Sequence, residues 1–134
     1  MKDEEEVIGR VLREAKTVAV VGLSSDPSKP SAYVAAYLQQ AGYRIIPVNP
    51  TAERLLGERV YPALEDVDQP VDLVDVFRPP AACAEVARQA VAIGAKAIWL
   101  QSGIISEEAA EIARAGGLEV IMDRCTMVEH RRRQ

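Results

Sequence analysis

Hydrophobic and polar positions along this chain switch repeatedly between two rhythms. Short unbroken apolar runs, rich in β-branched residues, alternate with longer segments whose apolar residues recur every three to four positions. The runs fall at 18–21 (Val-Ala-Val-Val), 43–48, 71–77, 96–100 and 118–122. A strand that is apolar on both faces belongs in a parallel sheet covered by helices. Between the runs, 32–40, 80–93 and a segment opening at Ser106-Glu107-Glu108 carry the helical period; in the first, Tyr33, Ala36, Tyr37 and Gln40 share that spacing. A further amphipathic helix over 3–14 precedes the first strand. Its residues Val7, Ile8, Val11, Leu12 and Ala15 share one face, and acids lead it, as the helix dipole favours. The alternation predicts a doubly wound α/β fold: a mostly parallel five-stranded sheet with helices on both faces and right-handed crossovers.

The punctuation agrees with this division. Ala41-Gly42, Gly94 and Gly116-Gly117 end helices, Asn49-Pro50 stops the second strand, and Pro80 opens the long helix. Between the second and third strands, 51–56 reads as a helical turn closed by Gly57, 60–62 as a short extended piece and 63–69 as a polar turn. Residues 123–134 read as a short polar tail. The third apolar run is broken by Asp72 and Asp75, one of which is expected to be paired or at a strand edge. Trp99 reads as core. Cys83, with Ala84, Ala87 and Ala90 nearby, reads as inert filling.

Composition narrows the function classes. The 134 residues, 49% hydrophobic and 27% charged, suit one domain spanning 1–134 with a sizeable core. A net charge of -4 and a pI near 5.1 speak against a general nucleic-acid binder, which needs a basic face. The acidic run at 3–6 and Arg131-Arg132-Arg133 read as solvated ends. The charged start is unlike a signal peptide, and no apolar run is long enough to span a bilayer. Cys83 and Cys125 make no disulfide framework, and there is no Cys/His metal spacing; the lone His130 falls in the tail. The expectation is a cytoplasmic protein with a small-molecule ligand, no nucleic-acid or membrane partner and no metal. A protein partner or homo-oligomer stays open.

Candidate chemistry starts after the first strand. Gly22-Leu23-Ser24-Ser25-Asp26-Pro27-Ser28-Lys29-Pro30-Ser31 leads into a helix that Ser31 is expected to cap at Ala32. Strand, small-residue loop and helix start form an arrangement that cradles phosphate through outward N–H groups and the helix dipole. The loop is neither G-x-G-x-x-G, since only Gly22 is present, nor a Walker loop. In an open α/β sheet the ligand lies beyond the carboxyl ends of the strands. Those ends here are rich in small, amide and hydroxyl groups with a few cations, and carry no Ser-His-Asp arrangement and no paired carboxylates. Such groups hold an extended anion better than they move protons. The second strand ends in Val48-Asn49-Pro50 rather than the acid that NAD normally meets there. NAD is therefore disfavoured, and a ribose-phosphate nucleotide stays open.

Five segments carry a family resemblance: Val-Ala-Val-Val-Gly-Leu-Ser-Ser from Val18, Tyr-Arg-Ile-Ile-Pro-Val-Asn-Pro from Tyr43, Val-Asp-Leu-Val-Asp-Val-Phe-Arg from Val71, Gly-Ala-Lys-Ala-Ile-Trp-Leu-Gln-Ser-Gly from Gly94, and Val-Ile-Met-Asp-Arg-Cys from Val120. In their order at strand ends, the chain from 17 to 129 resembles the stand-alone CoA-binding domain family. That family is similar to the N-terminal domain of the succinyl-CoA synthetase α subunit. The resemblance implies a Rossmann-like fold and bound coenzyme A. It implies that Gly22, Leu23, Ser24 and Ser25 approach the pyrophosphate. Pro47, Val48 and Asn49 would lie near the adenosine, Phe77 and Arg78 would flank the nucleotide, and Gln101, Ser102 and Gly103 would line the pantetheine path. Lys29 is an added candidate for a phosphate cation.

The first loop is less glycine-rich than the synthetase's, and the synthetase's phosphohistidine-bearing second domain has no counterpart here. Ligase activity is not implied. The expected function is a non-catalytic binding or regulatory module for coenzyme A or an acyl-CoA. The alternatives are an NAD(P)-dependent or acyl-CoA-handling enzyme, with Cys125 or Glu129 supplying the missing acid–base group, and a subunit using its first helix as an interface. Cys125, beside Arg124, is the candidate reactive thiol for a mixed disulfide with coenzyme A.

Overall fold

The computed structural model describes residues 3–134. In chain order the elements are α1 (Glu4–Glu14), β1 (Thr17–Val21), α2 (Pro30–Gln40), β2 (Arg44–Val48), β3 (Arg54–Leu55), β4 (Glu58–Arg59), a 3₁₀ turn (Leu64–Asp66), β5 (Leu73–Val76), α3 (Pro80–Ala92), β6 (Ala97–Leu100), α4 (Glu107–Ala115), β7 (Glu119–Ile121) and α5 (Thr126–Arg132). The main sheet is five-stranded and parallel throughout, in the order β2-β1-β5-β6-β7.

Side-chain alternation along each strand explains the double covering. Ala19, Val21, Ile46, Val48, Val74, Val76, Ile98 and Leu100 share one core with α3 and α4. Val18, Val20, Ile45, Leu73, Ala97 and Trp99 share the other with α1 and α2. The result is the expected Rossmann-like α/β architecture. From β1 the chain first crosses outward to β2 and later returns to β5 on the other side of β1. The direction of winding therefore reverses between β1 and β5, the position at which open α/β sheets commonly take ligands.

Three local expectations are corrected. Residues 51–56 do not form a helical turn: β3 and β4 pair as an antiparallel hairpin, with Arg54 opposite Arg59. The chain reverses at Leu56 and Gly57, both at positive φ (54° and 76°), as a type I′ turn requires. Residues 123–134 are not merely a polar tail, because 126–132 form α5. Glu129 stands in its first turn and His130, Arg131 and Arg132 in its last, the order that the helix dipole favours. The buried Glu129 carboxylate accepts from Arg132 at 2.8 Å and Arg133 at 2.9 Å, while Arg133 also reaches Glu5 on α1. The basic run is thus pinned to the fold rather than simply solvated. Finally, α2 starts at Pro30 and buries Ser31, Val34, Ala35 and Leu38, leaving Tyr33 46% exposed.

Candidate functional site

Gly22 fixes the geometry at the winding reversal. Its φ is +87°, and a Cβ built there would lie 2.7 Å from the Phe77 carbonyl oxygen and 3.1 Å from Arg78 Cδ. Only glycine lets the exit of β1 press against the exit of β5. The loop that follows is wired to itself. Ser31 is not the helix cap; its hydroxyl accepts from Ser24 N–H at 2.9 Å, and Lys29 occupies the cap position with no side-chain capping bond. Ser24 Oγ accepts from Asp26 N–H at 3.0 Å. The Asp26 carboxylate accepts from the Ser28 N–H at 3.0 Å and the Ser28 hydroxyl at 2.8 Å, and these bonds hold it below its ordinary range. Asp26 O takes Lys29 N–H at 3.0 Å. Several amides expected to point outward are therefore used internally. Among the described residues, Ser25 and Ser31 keep N–H groups with no protein acceptor.

Ser24 and Lys29, Phe77 and Arg78 after β5, and Gln101 and Ser102 after β6 line one cleft of about 710 Å³. Cys125, Met127 and Val128 line it from the α5 side, and Tyr33 and Val34 from α2. Lys29 and Arg78 are exposed and, among the described residues, make no ion pair. A larger cavity of about 900 Å³ lies between α1 and α5, but Arg10 and Arg133 on its wall already pair with Glu119 at 3.2 Å and with Glu5. In the strand-end cleft, among the described residues, both lining cations stand without an ion pair.

The other expected residues do not line this cleft. Leu23, Pro47 and Val48 are buried, Ser25 is exposed, and Gly103 N–H donates to Asp123 Oδ1 at 2.7 Å. Asn49 serves the backbone: its Nδ2 donates to Leu23 O at 2.8 Å, and its Oδ1 accepts from Thr51 N–H at 2.7 Å and Ala52 N–H at 3.0 Å. Phe77 is half-buried, packed on one side against the α1/α2 core and facing the cleft on the other.

Beneath the cleft, Asp75 is fully buried on the central strand. Gln101 Nε2 donates to its Oδ1, and the Thr126 hydroxyl donates to Oδ2 at 3.0 Å. Burial pushes its carboxyl up to about 7, against the pull of those two hydrogen bonds. Asp75 thus has hydrogen-bond partners and lies on the central strand, not at an edge. Asp72 also has partners. Burial works against its charge, but N–H bonds from Lys16 (2.8 Å) and Thr17 (3.1 Å) and the nearby Lys96 outweigh it and hold the carboxyl low.

Two candidate groups are redirected by their neighbours. Arg124, expected to act on the Cys125 thiol, spends its guanidinium on Glu4, on Glu129 at 3.5 Å and on Glu5 at 4.0 Å. Cys125 itself is half-buried in the cleft wall. Glu129 is enclosed by arginines, and His130 places Nδ1 2.8 Å from the Tyr37 hydroxyl, with burial lowering its pKa. Cys83 is fully buried, with its thiol 3.5 Å from the Pro79 carbonyl oxygen, and burial raises its pKa. Trp99 is fully buried, its indole N–H donating to Arg124 O at 2.8 Å.

Among the described residues no cluster of His, Cys, Asp or Glu is placed to hold a metal. The α5 contribution to the cleft escaped the sequence reading. The acid-first, base-last pattern over 126–132 was its available signal.

Known proteins share this architecture. A solved structure from Thermus thermophilus superposes with a TM-score of 0.91 at 42% identity, covering 97% of this chain and 98% of its own. The Bacillus subtilis protein YneT is 41% identical over 123 residues, 92% of this chain and 91% of YneT. The ADP-forming acetate–CoA ligase II of Archaeoglobus fulgidus is 34% identical over 95 residues, 69% of this chain but 14% of the ligase. The family profile described as CoA binding domain matches residues 16–131, and the chain belongs to that family.

Proposed function

We propose that this protein binds coenzyme A, free or acylated, in the cleft at the carboxyl ends of β1, β5 and β6, as a binding module without chemistry of its own. The observation that carries the reading is the pair of uncommitted cations, Lys29 and Arg78, flanking a cleft where Gly22 brings two strand exits together. In this reading Gly22, Leu23, Ser24 and Ser25 lie along the diphosphate, with the open amides of Ser25 and Ser31 and the start of α2 supplying positive potential. Lys29 and Arg78 meet phosphate charge. Pro47, Val48 and Asn49 border the adenosine, and Asn49 keeps one Nδ2 hydrogen for it. Phe77 offers an apolar face. Gln101, Ser102 and Gly103 border the pantetheine arm, with the Gln101 Nε2 group engaged by Asp75 and Thr126. The resemblance to part of an acetate–CoA ligase supports the choice of ligand.

Titration calorimetry with coenzyme A, dephospho-coenzyme A and NAD tests the reading. Coenzyme A is expected to bind, to raise the melting temperature in proportion to ln(1 + [L]/Kd), and to outcompete NAD. No heat from coenzyme A at about 1 mM, a binding free energy weaker than about 4 kcal/mol, overturns it.

A further inference from the structure

Under the cleft floor lies an ionisable group that the binding role leaves unused. Asp75 stands between Val20 of β1 and Trp99 of β6, and its carboxyl is sealed from solvent. Its polar partners among the described residues are Gln101 and Thr126, and Gln101 Nε2 also lies 2.9 Å from Thr126 Oγ. The three side chains close a loop from the central strand, through the exit of β6, to the first residue of α5. Gln101 lines the cleft, and Thr126 sits between the lining residues Cys125 and Met127.

Among the described residues no cation reaches this carboxyl. The elements on its side of the sheet are α1, α2 and α5, and among the described residues none of their charged groups acts on Asp75. Glu4 and Glu5 pair with Arg124 and Arg133, and Glu129 with Arg124, Arg132 and Arg133. His130 bonds Tyr37, and Tyr43 bonds the Leu12 carbonyl. Lys29 and Arg78 stand at the exposed rim, and Cys125 is in the wall.

We propose that Asp75 is a proton-linked positioning residue of the coenzyme A cleft: it takes up a proton from solvent as the anionic ligand arrives, and through Gln101 and Thr126 it holds the floor and the α5 wall. The inference rests on the coenzyme A reading. A phosphate anion brought near a buried carboxylate raises the cost of that carboxylate. At about 10 Å and an effective dielectric of about 20, one such charge displaces the acid's equilibrium about tenfold. Linkage is reciprocal, so the ligand binds more tightly where Asp75 is protonated, and affinity falls as pH rises. Burial already places the free protein's carboxyl at about 7, so the fall begins near neutral pH. The protonated acid keeps its partners, because the Thr126 hydroxyl can accept as well as donate.

The test is calorimetric titration of coenzyme A at about pH 6 and about pH 8.5, in buffer pairs of unequal ionisation enthalpy, on wild type and Asp75→Asn. The ligand's own phosphate and thiol, and His130, exchange protons alike in both proteins. Wild type is expected to take up more protons than the variant and to lose about tenfold more affinity across that range. Identical pH profiles with binding intact overturn the inference alone, and so does an equal weakening of the variant at both pH values, which marks a structural role. No binding to wild type at either pH removes the coenzyme A reading and this inference with it. Should the variant fail to fold, carbon NMR titration of the wild-type carboxyl decides. Its midpoint rises when coenzyme A is added, and an unmoved midpoint overturns the proposal.

Discussion

Replacing Asp75 by asparagine probes a fully buried ionisable group. The carboxyl titrates at about 7 in the fold against 3.8 ordinarily, because burial disfavours its charge more than Gln101 and Thr126 favour it. A folded-state acid raised in this way binds more protons than its unfolded counterpart between those two values. Stability therefore falls as pH climbs from about 4 to about 7, and is flat on either side. The interval of about three pH units corresponds to about 4 kcal/mol. Asparagine preserves the shape, accepts from Gln101 through Oδ1, donates to Thr126 Oγ, and does not ionise. The variant should match wild type near pH 4 and exceed it by up to about 4 kcal/mol near pH 8. Carboxyls held low in the fold, such as Asp72 and Asp26, titrate alike in both proteins and cancel. Urea unfolding at the two pH values, with m-values compared, measures the difference. Stability curves that run parallel with pH would refute the argument.

Four further substitutions follow from the site. Gly22→Ala places a methyl group against the Phe77 carbonyl at positive φ and should cost about 2–3 kcal/mol in urea unfolding; an unchanged midpoint contradicts the close approach of the two strand exits. Lys29→Ala and Arg78→Ala should each weaken coenzyme A about tenfold and flatten its salt dependence, since fewer phosphate contacts remain to be screened. Unchanged affinity in both clears them of the role. With coenzyme A disulfide, attack by the Cys125 thiolate should leave coenzyme A on the protein and release one coenzyme A thiol. Intact mass should show the adduct in wild type and not in Cys125→Ser; its absence from wild type, or persistence in the variant, ends that idea.

The sheet was readable because most strand positions are apolar on both faces, so runs such as Val18 to Val21 fit a covered parallel sheet. The hairpin at 54–59 was not, because Leu56 adopts positive φ without the Asn or Asp that usually marks such a turn. α5 was hidden by its charges: Arg132 and Arg133 read as solvated until Glu5 and Glu129 are brought beside them by the fold. The inner face of α2 was ambiguous. Tyr33 and Tyr37 share the helical period as well as Val34 and Leu38 do, and the buried hydroxyl of Ser31 is satisfied only by Ser24 in the preceding loop. Of the candidate residues, Ser24, Lys29, Phe77, Arg78, Gln101 and Ser102 line one cleft, whereas Leu23, Ser25, Pro47, Val48, Asn49 and Gly103 do not. The pairing of Asp75 was beyond local pattern, since its partners lie 26 and 51 positions away in the chain.

The most direct test of the account is a crystal structure of the protein soaked with coenzyme A. The account predicts the diphosphate against residues 22–25 and the start of α2, within reach of Lys29 and Arg78. Coenzyme A lodged elsewhere, for instance between α1 and α5, with the strand-end cleft empty, would contradict it.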